Sequence, residues 1–159
     1  MCRKNVCIVM VALMASYALA QGHTRRPQPR PPVVGLRVMH GPTTVTGEGT
    51  TTPSGLKYWD LQIGTGGVAT QGKAVKIHYT GWLESGKKFE SSVDERQPVI
   101  FLLGSSKVIQ GWNEGIEGMR VGGKRQLWVP PSLAYGHRGS EVVPPNSTLI
   151  FEIEILGVQ

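Results

Sequence analysis

Apolar and polar residues alternate along three stretches in the C-terminal two thirds of the chain. Val75, Ile77 and Tyr79 interleave with Lys76, His78 and Thr80, and Leu149, Phe151, Ile153 and Ile155 interleave with Ile150, Glu152 and Glu154. A period of two sends successive side chains to opposite faces, so each run predicts a strand with one buried face, the second a long C-terminal strand. Over residues 124–129 the same period turns Leu127 and Val129 inward and Trp128 the other way. Ile109, Trp112, Ile116 and Met119 instead recur at spacings of three, four and three, which marks the apolar face of a short helix. Gly118, Gly122 and Gly123 end it. Gly64 to Gly67, Ser85-Gly86, Gly122-Gly123 and Pro130-Pro131 cut the chain between these elements. Several strands with one helix predict an α+β fold, an antiparallel sheet of about five strands curled over that helix.

The first 52 residues read differently. Arg3 and Lys4 precede a nearly unbroken apolar run from Val6 to Leu19, and Ala18-Leu19-Ala20 presents the small-x-small pattern of a signal-peptidase site. About 14 apolar residues fall short of the roughly 20 that span a bilayer, so residues 1–20 are expected to be a cleaved signal peptide and not a stable membrane anchor. The protein is then expected outside the cytoplasm, in a periplasmic or extracellular location. Residues 21–52 interleave Pro27, Pro29, Pro31 and Pro32 with arginines and pass into a Thr/Gly-rich stretch. With few large apolar side chains to offset the entropy of ordering, this segment reads as a disordered linker, and residues 53–159 as the domain.

A length of 159 residues accommodates one such domain. The formal charge of +6 invites a nucleic-acid reading, but residues 53–159 carry only +1 of it. The linker arginines are scattered and have no interleaved aromatic, so no nucleic-acid partner is expected. Both cysteines, Cys2 and Cys7, lie in the expected signal peptide, which removes disulfides, cysteine nucleophiles and thiolate metal sites from the mature chain. His78 and His137 are too few and too far from paired carboxylates for a zinc site, and no serine sits in a nucleophile elbow. Gly64-Thr65-Gly66-Gly67 lacks the spacing of a phosphate loop. Neither a metal nor a cofactor is called for.

What stands out is the set of aromatic residues spread over glycine-punctuated segments: Tyr79, Trp82, Phe89, Phe101, Trp112, Trp128, Tyr135 and Phe151. Their surroundings carry five ordered motifs. These are His78 to Ser92 (HYTGWLESGKKFESS), Val108 to Gly115 (VIQGWNEG), Gly122 to Arg125 (GGKR), Pro130 to Gly136 (PPSLAYG) and Val142 to Phe151 (VVPPNSTLIF). Together, from about Pro53 to Val158, they resemble the FKBP-type peptidyl-prolyl cis-trans isomerases.

That resemblance implies a ligand pocket between the helix and the concave face of the sheet. Trp112 would form its floor, Tyr79, Phe89, Phe101 and Phe151 its walls, and Val108 and Ile109 the approach to the helix, with Tyr135 and Val142 closing the rim. The Ile109 amide and the Tyr135 hydroxyl would donate hydrogen bonds to the bound peptide, and Glu90 and Phe89 would complete the catalytic set. The implied partners are proline-containing polypeptide clients and macrolide inhibitors, bound by a monomer. The implied activity is X–Pro isomerisation in unfolded or partly folded exported proteins, through non-covalent stabilisation of a twisted amide. The competing reading is a peptide-binding module or holdase chaperone with little turnover. The sequence departs from the family pattern in Glu90 for the usual aspartate, in Val99 for an aromatic, in Glu95 at a loop arginine position, and in a short 136–143 segment.

Overall fold

The structure, a computed structural model, describes residues 41–159. The expected signal peptide and residues 21–40 of the expected linker lie outside the described residues. Seven strands and one α-helix follow in chain order: β1 (Thr50–Thr51), β2 (Lys57–Gln62), β3 (Ala74–Leu83), β4 (Lys88–Ser91), β5 (Val99–Leu102), α1 (Gln110–Ile116), β6 (Lys124–Val129) and β7 (Leu149–Val158). All pairings are antiparallel, in the order β1-β2-β6-β7-β3-β4, with β5 also on β3. The strand count is therefore seven among the described residues, against about five expected. Two features account for the difference. β4 and β5 lie along the same side of β3, opposite Thr80–Trp82 and Ala74–Ile77, so they form one edge ribbon interrupted by the 92–98 turn. β1 is a two-residue ladder on β2.

The alternation places Val75, Ile77 and Tyr79 of β3, Leu127 and Val129 of β6, and Phe151, Ile153 and Ile155 of β7 on the concave face, where they join Trp112 and Ile116 of α1 in one buried cluster. Trp128 projects from the opposite face, as the pattern predicts, and its indole N–H donates to Gln126 Oε1 at 3.1 Å. The helix is only seven residues long; Ile109 is its N-cap, and Met119, buried, follows Gly118 (φ 80°) beyond its end. It lies close to β6 because its inward positions include glycines. A Cβ on Gly111 would overlap Val129, and one on Gly115 would stand 2.6 Å from Leu127. Arg125 of β6 pins the helix further, donating to the Gly115 carbonyl at 2.8 Å while pairing with Asp60 at 2.7 Å.

Residues 41–52, expected to be the end of a disordered linker, run along the convex face. The Thr43 amide donates to Glu152 Oε1 at 2.5 Å, and the Thr43 carbonyl accepts from Gln126 Nε2 at 2.8 Å. The Trp59 indole donates to the Gly47 carbonyl at 3.2 Å, and Thr50 and Thr51 pair with Tyr58 and Lys57. The packed domain thus extends N-terminal to Pro53. Its added segment is held through backbone groups, not through the apolar side chains whose scarcity suggested a linker.

Candidate active site

The concave face, α1 and the flanking loops line an open cavity of about 840 Å³. Trp112, whose position on α1 turns it inward, is 7% exposed and lies at the centre of an aromatic cage. Tyr79 stands edge-on to it with 4.7 Å between ring centroids, Phe151 edge-on at 5.3 Å, and Phe101 tilted at 5.9 Å. Phe89 in turn stands edge-on to Phe151 at 5.8 Å. Edge-to-face contacts between such rings favour a defined relative orientation as well as burying area.

Each polar group is set by its local backbone. Tyr135 follows a single turn of 3-10 helix, Pro131–Leu133, anchored by the buried Leu133 and closed by the Gly136 amide on the Pro131 carbonyl at 2.9 Å. The ring is 39% exposed, at the rim. Glu90 of β4 is the register partner of Gly81, which presents no side chain over the cavity. Ile109 caps α1 in extended conformation, and its amide donates to no backbone carbonyl among the described residues. That leaves a donor on the cavity lining.

Burial pushes the Tyr79 phenol well above its ordinary range, and the facing Glu90 carboxylate, with Glu95 farther off, adds to the shift. Tyr135 is raised by burial first and by the Glu90 charge second. Both hydroxyls therefore keep their protons throughout the neutral range and act as donors. Neither domain histidine lines the cavity. His78 projects from the other face of β3, its Nδ1 3.0 Å from Ser92 Oγ, and His137 is exposed.

Of the residues singled out in the sequence, Tyr79, Glu90, Val108, Ile109, Trp112, Tyr135 and Phe151 line the cavity together. Phe89 and Phe101 stand behind that lining, against Phe151 and Trp112. Val142, expected at the rim, does not line it. The Ser140 amide bonds the Val143 carbonyl at 2.8 Å, and this turn buries Val143 while leaving Val142 58% exposed. Sequence reasoning missed Ala134, Gln71 and the 104–107 loop, which the folded chain brings to the same cavity.

A family model described as FKBP-type peptidyl-prolyl cis-trans isomerase matches residues 66–156. The chain belongs to that family. It is 53% identical over 105 residues to the FK506-binding protein of Neisseria meningitidis serogroup B, an alignment that covers 65% of this chain and 96% of that one. It is 44% identical over 126 residues to the chloroplastic peptidyl-prolyl cis-trans isomerase FKBP13 of Arabidopsis thaliana, covering 72% of this chain and 61% of the relative. Among solved structures, the crystal structure of AtFKBP13 superimposes with a TM-score of 0.67 at 42% identity, covering 71% of this chain and all of that one. The crystal structure of FkpA from Escherichia coli gives 0.67 at 38% identity, covering 72% of this chain and 53% of that one. The family match spans all five motifs read in the sequence, and four of them, all but residues 122–125, contribute residues to the cavity.

Proposed function

We propose that this FKBP-type isomerase accelerates X–Pro isomerisation in exported, unfolded or partly folded polypeptides by holding the amide in its twisted form. The supporting observation is the cage itself: three rings packed on Trp112, bordered by hydroxyls that burial keeps protonated. Rotation about an amide costs about 18–20 kcal/mol because conjugation is lost, and an X–Pro bond left alone takes roughly 10–100 s. The twisted amide is less conjugated and less dipolar than the planar one. A dry aromatic site therefore disfavours the planar ground state, while Tyr135 and the Ile109 amide donate to carbonyls displaced by the twist. A 10⁵-fold gain requires about 7 kcal/mol at roughly 1.4 kcal/mol per decade, a sum within reach of shape and a few hydrogen bonds. No covalent step is involved.

Export rests on residues 1–20, whose basic start, apolar run and Ala18-Leu19-Ala20 site suit signal peptidase. No helix among the described residues is long and apolar enough to cross a membrane. The relatives' names make FK506 the macrolide of choice as a competitive ligand for the same cavity. The binding unit in this reading is a monomer. The test is a prolyl-isomerisation assay on residues 21–159 with a panel of X–Pro peptides, with and without FK506. Catalysis that FK506 suppresses is the expected result. Peptide binding without turnover would instead establish a holdase.

A further inference from the structure

The cavity continues past the aromatic cage into a polar stretch formed by Gln71, the 104–107 loop, Gln110 and Asn113. Of its lining residues only two are charged, and they have opposite signs and separate walls: Glu90 on the sheet side beside the two phenols, and Lys107 on the loop ahead of α1. Lys107 takes part in none of the ion pairs among the described residues. The nearby carboxylate of Glu117 is engaged by Gln71 Nε2 at 3.2 Å and does not line the cavity.

The loop that carries Lys107 is fixed in place. Asn113 of α1 accepts from the Gly104 amide and donates to the Ser105 carbonyl, each at 2.8 Å. The Ser105 hydroxyl oxygen is shielded from solvent yet has no partner within the protein. A peptide leaving the cage over this loop instead meets the exposed Ser106 and Lys107, which line the cavity. The lysine would then face the side chains that flank the X–Pro pair.

We propose that Lys107 sets substrate preference, selecting X–Pro segments that carry an acidic residue within two positions of the X–Pro pair and disfavouring basic ones. This rests on the isomerase reading above and adds to it a substrate class. A basic flanking residue finds no compensating partner on this wall, because Glu90 stands at the catalytic end among the phenols. An exposed pair of charges is worth little, so the discrimination is modest; opposing a favourable pair to a like-charge pair gives about 3–10-fold in kcat/KM.

The experiment uses peptides with an invariant Ala-Pro core and Glu, Ala or Lys at each position within two residues of it, assayed with residues 21–159 and with its Lys107→Glu variant. Turnover of the all-alanine peptide by the unaltered protein tests the isomerase reading alone. The Glu-over-Lys ratio of kcat/KM, in which changes common to both peptides cancel, tests the role of Lys107. At one position that ratio should be about 3–10, shrink toward one in 1 M salt as the charges are screened, and invert in Lys107→Glu. A ratio near one at every position, a preference for Lys, or a preference for Glu that survives Lys107→Glu would overturn the proposal.

Discussion

Phe89 and Glu90 are neighbours in sequence yet serve the same face of the sheet. β4 carries one extra residue opposite β3: Gly81 pairs with Glu90 and Trp82 with Lys88, which leaves Phe89 as the bulge. In a regular strand one of the two would point away from the cavity. The bulge lets Phe89 pack on Phe151 while Glu90 lines the cavity beside Tyr79 and Tyr135.

The bulge leaves no room for a side chain on Gly81. A Cβ there would stand 2.8 Å from both Phe89 and Phe151. Gly81→Ala should therefore cost about 1–3 kcal/mol in stability, as overpacking does, and lower kcat/KM by displacing the two rings. Chemical denaturation paired with the isomerisation assay checks both; an unchanged midpoint would mean that the rings give way freely.

The Tyr135 hydroxyl is the rim donor whose removal leaves packing intact. Tyr135→Phe should lose about 1–2 kcal/mol of transition-state stabilisation, roughly 5–30-fold in kcat/KM, with the melting temperature almost unmoved. Phe89→Ala should go further, because opening the wall behind Phe151 admits water and solvates the planar amide again. Glu90→Gln keeps the shape and should cost less than Tyr135→Phe. An inactive but folded Glu90→Gln protein would mean that the carboxylate moves a proton, and the desolvation account would then be wrong.

The long elements were legible in the sequence because each announces its own period: β3 and β7 through the alternations over Val75–Thr80 and Leu149–Ile155, β6 through Leu127 and Val129, and α1 through Trp112 and Ile116. What escaped depends on the register between segments. A bulge at Phe89 is visible only once β4 is laid against β3. Four-residue β5 carries too little pattern to separate it from β4, and the inward turn of Val143 in place of Val142 follows from the Ser140 hydrogen bond. Gln71 and Lys107 reach the cavity through turns that join distant parts of the chain. The cage was found through family motifs, since the spacing of aromatic residues alone is equally that of an ordinary core.

Residues 41–52 contribute stability that their composition conceals. Starting the chain at Pro53 removes the Thr43 bonds to Glu152 and Gln126, the Gly47 acceptor of Trp59, and the β1 ladder. At about 0.5–1.5 kcal/mol for each net hydrogen bond, a chain beginning at Pro53 should be about 2–4 kcal/mol less stable than one beginning at Gly41. Urea unfolding of the two chains measures the difference directly. Equal midpoints would show that the segment only rests on the sheet.

The pH response separates the roles of histidine and tyrosine. No histidine among the described residues lines the cavity, so kcat/KM should be nearly flat between about pH 6 and 8, where a histidine base would show itself. Alkaline behaviour follows from Tyr79, whose folded-state pKa lies above its ordinary value of 10.0, chiefly through burial and then through Glu90. Above that ordinary value the unfolded chain releases the phenolic proton while the folded chain still holds it. The unfolded state then binds fewer protons, and stability falls as pH rises. Below it both states are protonated, and the shift contributes no slope. Unfolding free energy should therefore decline from about pH 10 upward, and Tyr79→Phe, which retains the ring against Trp112, should flatten that decline. An alkaline slope identical in the two proteins would assign the loss to other groups. A bell-shaped rate profile centred near neutrality would return the mechanism to general acid–base catalysis.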